Sequence, residues 1–172
     1  MLCDRLTIRP TGPEDTKAIH KVESEAYGRK DEALLAEALI PAPPVTFSFL
    51  AECQGKPAGH ILLTEIEAPV RALALAPLAV VPEFREMHVG TTLVRHALEA
   101  ARSHGFEAVF VLGDNMYYER FGFSSSLADP FRIKWQGKRF MAIEIKPGCL
   151  AGKSGKLDYP EPFYNLDGTS GH

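Results

Sequence analysis

A change of hydrophobic period at Pro82 constrains this chain more than any other feature. Before it, "ALALAPLAVV" at residues 72–81 reads as a buried strand. After it, Val89, Leu93, Val94, Ala97, Leu98, Ala100 and Ala101 mark one face of a helix running to about His104, and Gly105 supplies the stop. A second short buried strand, "AVFVLG" at 108–113, follows directly. Strand, helix and strand in succession form a crossover over 78–112, which is what a parallel pair of strands requires.

The rest of the chain supplies neighbours for that unit. Leu6 to Arg9 alternates as a short strand, ended by Pro10 and Gly12-Pro13. Helices are expected over 14–26, where Ala18, Ile19, Val22 and Ala26 share a face, and over 31–39, stopped by Pro41, Pro43 and Pro44. "FSFLAEC" at 47–53 and "GHILLTEIE" at 59–67 read as a hairpin across Gln54-Gly55-Lys56-Pro57. Pro77 cannot donate to a ladder, so it belongs at a bulge or an edge. A short helix through Tyr117 to Phe121 and a last strand at 140–145 complete an α/β sheet with helices packed on both faces. One domain is expected over 1–146. A Gly- and Pro-rich tail over 147–172 should pack on it, with Phe163 and Tyr164 as anchors.

Composition closes off several function classes. With 19 Lys and Arg against 22 Asp and Glu, a net charge of −3 and no long run of one sign, phosphate-driven nucleic-acid binding is not expected. The longest apolar stretch, Ala72 to Val81, falls short of the ~20 residues that cross a bilayer. The amino terminus from Met1 to Arg5 has no apolar core of signal-peptide length, so a cytoplasmic protein without membrane contact is expected. Cys3, Cys53 and Cys149 form no C-x-x-C pair and read as small, partly buried thiols in a reducing compartment. His88, His96 and His104 recur every eight residues and drift about 80° per step around a helix, so they do not converge on a metal. "GKS" at 152–154 lacks a glycine at the phosphate-loop spacing, and Trp135 reads as a packed aromatic.

The segment that carries chemistry is "LAVVPEFREMHVGTTL" at 78–93. Its strand ends at Pro82, a loop turns, and a helix begins near His88 to Gly90 with its first-turn amides and dipole available to phosphate. Arg85 just ahead of the turn suits the same ligand. This segment resembles the acetyl-CoA-binding motif of the GNAT superfamily of N-acetyltransferases, in which Gln or Arg precedes glycines after a strand and a proline. Arg85 and Gly90 take the first and last positions. "YYERFGF" at 117–123 resembles the superfamily's terminal motif through Tyr118, Gly122 and Phe123, and with "LAPLAVVP" and "FMAIEI" the likeness narrows to a subgroup of small predicted acetyltransferases.

The resemblance implies a GNAT-like mixed, mostly antiparallel central sheet with a splayed parallel strand pair. It implies that Leu78, Ala79 and Val80 offer backbone groups to the pantetheine arm of acetyl-CoA, with Pro77 helping to open the strand. Glu86, Met87, His88, Val89, Gly90 and Thr91 would wrap the pyrophosphate through their amides, and Tyr118 would be the general acid. The acceptor would be a small-molecule or peptide amine, attacking the thioester directly in a ternary complex. No metal is implied. The family's Gly-x-Gly is replaced here by Glu86 and His88, which leaves either a degraded site or one whose side chains point outward while the amides still serve. The first alternative would make the chain a non-catalytic acyl-CoA sensor or scaffold. Glu65, Glu67 and His60 are candidates for the base that the amine needs, and the residues do not choose among them. The acid-rich balance leans towards a cationic, polyamine-like acceptor, and a homodimer is the commonest closed assembly for such a chain.

Overall fold

Both hydrophobic periods are realised in the computed structural model, which describes residues 5–41 and 45–165. Cys3, Pro43, Pro44 and the tail beyond Asn165 lie outside the described residues. In chain order the elements are β1 (Leu6–Pro10), α1 (Thr16–Tyr27), α2 (Asp31–Leu39), β2 (Thr46–Cys53), β3 (Lys56–Ile66), β4 (Ala72–Val80), α3 (Val89–Ser103), β5 (Ala108–Leu112), α4 (Asn115–Glu119), α5 (Ser125–Ala128), β6 (Phe131–Arg132), β7 (Phe140–Glu144) and β8 (Gly155–Lys156). Six strands form one sheet in the order β1-β2-β3-β4-β5-β7, and β6 pairs with β8 in a small second sheet.

The sheet is mostly antiparallel, with β1 against β2 and β5 against β7, and its parallel pair is β4 with β5, as the crossover predicts. That parallel register runs from Ala72↔Ala108 to Leu75↔Val111, while β4 continues to Val80. Pro77 therefore falls two residues past the last β5 partner, where no donor is required of it on that side.

The chain divides into two compact units, one made of Met1–Leu63 with Pro77–Ala97, the other of Thr64–Ala76 with Leu98–His172. In the first, α3 turns Val89, Leu93, Val94 and Ala97 inward, each at most 1% exposed, and Ile19, Val22, Leu35 and Leu39 do the same from α1 and α2. In the second, Phe110 lies 5.4 Å edge-on from Phe131 and 5.6 Å stacked on Phe140, around a fully buried Met141 and Leu157. Gly105 ends α3 at φ +79, and Phe106 N–H closes the helix back onto Ala101 O at 3.0 Å.

Two sequence readings are corrected. The first helix does not start at Glu14: a 3-10 turn spans Pro13–Asp15, because the Asp15 carboxylate folds back to accept from Gly12 N–H and from Arg9. Cys53 is disulfide-bonded, so three free thiols no longer argue for a reducing compartment; Cys149 is free and buried. Among the described residues no helix is long and apolar enough to cross a membrane.

Candidate functional site

The first hydrogen bond in the α3 ladder runs from Thr92 N–H to His88 O at 3.0 Å, so the amides from His88 to Thr91 precede the ladder, at the positive end of the helix dipole. The loop reaches this point through two residues with left-handed backbones, Glu86 at φ +66 and His88 at φ +63. An L-residue in that region costs about 1–3 kcal/mol, which glycine avoids. Both side chains are exposed, so neither conformation serves to bury them. These are the two positions where the resembled pattern carries glycine; the loop keeps a glycine-type path without the glycines. Met87, Gly90 and Thr91 are half-buried, and Val89 is buried beneath the turn.

Arg85 is placed differently from a free anion-binding side chain. Its Nη2 donates to Ala26 O at 2.6 Å and its Nε to Val80 O at 3.2 Å, so the guanidinium ties the loop to the end of α1 and to β4 while its charge stays beside the turn.

The geometry of β4 follows from strand alternation. Val81 N–H bonds Ala58 O at 3.0 Å, and Ala79 O lies so close to Gly59 that a Cβ there would sit 2.8 Å away. Ala79 and Val81 thus face β3, and Leu78 and Val80 turn their backbone groups to the opposite edge. On that edge the carbonyls are engaged, Leu78 O by the Tyr27 hydroxyl at 2.5 Å and Val80 O by Arg85. By the same alternation the amides of Leu78 and Val80 are directed to that edge.

Tyr118 lies on α4, whose N-cap Asp114 accepts from Met116 N–H at 2.9 Å. The ring is 5% exposed and packs edge-on against Phe123 at 5.7 Å and Tyr117 at 5.0 Å. Burial pushes the phenol well above its usual range, with Tyr117 and Asp114 adding to the effect, so it holds its proton at neutral pH. Gly122 turns the chain at φ +106 into Phe123, which is why the terminal motif needs glycine there. Among the base candidates, Glu67 is exposed and its backbone is bridged to Asp158, Glu65 is half-buried, and His60 is wholly buried.

Sequence reasoning missed Tyr27, Gly59 and Glu23. Glu23 and Tyr27 sit one turn apart on α1, a spacing that would have flagged a shared polar face. His60 Nδ1 lies 2.6 Å from Glu23 Oε2, and both side chains are fully buried.

Comparison with known proteins identifies the family and the fold. The model of the acetyltransferase (GNAT) family matches residues 14–123. YjhQ of Escherichia coli (strain K12), an uncharacterised N-acetyltransferase, is 39% identical over 169 residues, covering 88% of this chain and 92% of its own. The crystal structure of the GNAT family N-acetyltransferase YhbS from Escherichia coli in complex with CoA superposes with a TM-score of 0.88 at 26% identity, over 94% of this chain and 93% of that one. A GNAT family acetyltransferase from Brucella melitensis in complex with acetyl-CoA gives a TM-score of 0.77, also at 26% identity, over 92% and 98%. The two sequence motifs, the sheet with its parallel pair and these relatives place this chain in the acetyltransferase (GNAT) family.

Proposed function

We propose that this acyl-CoA-dependent N-acetyltransferase moves the acetyl group of acetyl-CoA to a primary amine by direct attack in a ternary complex. The carrying observation is the positive φ of both Glu86 and His88, whose side chains are exposed, a loop path that suits amides converging on a pyrophosphate. In this reading the amides of Glu86, Met87, His88, Val89, Gly90 and Thr91 hold the pyrophosphate. The Arg85 charge lowers the cost of bringing phosphates to the turn, and β4 at Leu78, Ala79 and Val80 aligns the pantetheine arm. The amine nitrogen bonds to the acetyl carbon as the carbon–sulfur bond breaks. Tyr118 supports the second half: its hydroxyl, protonated and buried, donates its proton to the departing sulfur, and the proton that the acylated nitrogen sheds restores the phenol.

Calorimetric titration with acetyl-CoA, with ATP as the control, followed by a panel of alkyl amines and peptide amino termini, tests the reading. Binding of acetyl-CoA alone together with transfer to one amine class is the expected result. Binding without transfer across the panel would favour an acyl-CoA sensor, and no binding would favour a scaffold.

A further inference from the structure

Charge is spread unevenly along this chain, and the net −3 conceals it. Residues 131–156 hold seven Lys and Arg against one acid, Glu144, whereas residues 1–130 hold 12 against 18. Three of the seven, Lys134, Lys138 and Arg139, stand exposed on the turn between β6 and β7, which has no carboxylate of its own. That turn is held from several sides. Gln136 N–H bonds Ile133 O and Phe140 N–H bonds Gly137 O, both at 3.0 Å, the Gln136 side chain donates to Asp129 O at 2.9 Å, and Trp135 packs edge-on against Tyr159 at 5.1 Å. Its far end is fastened to the start of α4, where Asn115 Nδ2 donates to Lys138 O at 2.7 Å and Gly113 N–H to Arg139 O at 3.0 Å. Asn115 and Tyr118 are one turn apart on that helix, so the cations stand beside the element that carries the proposed general acid. Arg139 is partly engaged through Nε on Gly113 O at 3.4 Å, but among the described residues Lys134 and Lys138 form no ion pair. Unpaired cations on a fastened turn offer an anion a pre-formed site at little ordering cost.

We propose that Lys134 and Lys138 select an acceptor whose amine is joined to an anionic group, a carboxylate or a phosphate, and hold that group on the turn. This rests on the acetyltransferase reading and names its acceptor class: a zwitterionic amine, in place of the polyamine towards which the whole-chain charge leans. The two ammonium groups that attract the anion also repel the acceptor's own ammonium. The acceptor therefore arrives with its anion on the turn and its nitrogen turned away from it. The lysines bind and orient, and they take no part in the exchange of bonds. The carboxylates of the neighbouring helix do not cancel them: Asp114 accepts from Met116 N–H as the α4 N-cap, and Glu119 lies at the helix's other end.

Three acceptors of equal chain length test the proposal: an alkyl amine, an ω-amino carboxylate and an aminoalkyl phosphate. The parent should favour one or both anionic amines over the alkyl amine by about tenfold or more in kcat/KM. That preference should shrink as salt is raised. Joint replacement Lys134→Gln and Lys138→Gln, at two exposed positions, should cut the preference about fivefold or more, chiefly by raising KM for the anionic amine. Joint Lys134→Glu and Lys138→Glu should reverse the order of the acceptors. Comparison of the carboxylate with the phosphate identifies the anion. A parent that handles the alkyl amine as well as the anionic ones, or a preference that survives both double variants, overturns the proposal alone. So does a loss of acetyl-CoA affinity in the glutamine variant that dephospho-acetyl-CoA does not share, for the lysines would then hold the cofactor's own phosphate. A parent that acetylates no amine across a wider panel overturns the reading beneath it and the anion site with it.

Discussion

His88 holds φ +63 at the threshold of α3 with its imidazole in solvent, so in the proposed reading it is the backbone, not the imidazole, that serves the pyrophosphate. His88→Gly should keep acetyl-CoA affinity within about threefold and leave stability unchanged or raise it by up to ~1 kcal/mol. His88→Val should lose ~1 kcal/mol or more and weaken binding, because a β-branched residue resists the left-handed region. Calorimetry and urea unfolding of both variants decide the matter; a large loss of affinity in the glycine variant would show that the imidazole itself holds phosphate. Residue type could not reveal this in advance, since a histidine does not declare the sign of its φ as a glycine pattern does. The burial of Tyr118 follows, by contrast, from its motif, because Gly122 and Phe123 fix the geometry that encloses it. Tyr118→Phe should lower kcat by about 10²-fold or more while acetyl-CoA affinity stays put, and equal turnover would remove the phenol from the mechanism. Since its ionisation is raised in the fold, Tyr118 should impose no alkaline loss of rate below ~10. Its contribution to stability should decline as pH rises past that same value.

Two elements with a full hydrophobic period were readable to their ends: α2 spans the expected Asp31–Leu39, and α3 stops where Gly105 says it must. The two-residue strands β6 and β8 and the four-residue α5 escaped, because pieces this short carry no period and exist only through tertiary pairing, Phe131 with Gly155 and Arg132 with Lys156. The approach of β3 to β4 was equally hidden. It depends on Gly59, an unremarked residue of "GHILLTEIE", where an added Cβ would meet Ala79 O at 2.8 Å and the side chains of Leu93 and Val89 at 3.0 Å. The carbonyl belongs to a strand paired on that edge and cannot give way freely. Gly59→Ala should therefore cost about 1–3 kcal/mol by urea unfolding and weaken acetyl-CoA binding, since β4 and the start of α3 move together. A neutral substitution would mean that β3 yields instead and that the close approach does not position the site.

Across the whole molecule, a TM-score of 0.88 at 26% identity to the CoA-bound YhbS structure means that the fold tolerates replacement of most side chains. The titratable pair that this chain buries, Glu23 with His60, has a pH signature. The unfolded chain takes up a proton on His60 near ~6.5 and on Glu23 near ~4.3. The folded chain keeps Glu23 protonated far above that and leaves His60 neutral down to about 3. Between ~4.3 and ~6.5 both states of this pair hold one proton, so its contribution is flat. Above ~6.5 the folded state holds the extra proton and stability declines as pH rises; below ~4.3 the unfolded state holds it and stability declines as pH falls. Asp15, held down to about 2 chiefly by Arg9, adds a further acid loss that starts below ~3.9. Glu23→Gln removes one titration and changes the sign of the comparison. The parent should be more stable to urea at pH ~5.5 than at pH ~8, whereas Glu23→Gln should be more stable at pH ~8, because only His60 is left to claim a proton in the unfolded chain. Asp15→Asn should preserve the parent's order and lose only the steep limb below ~3.9. If Glu23→Gln keeps the parent's order, the buried pair is an imidazolium and a carboxylate in the folded protein.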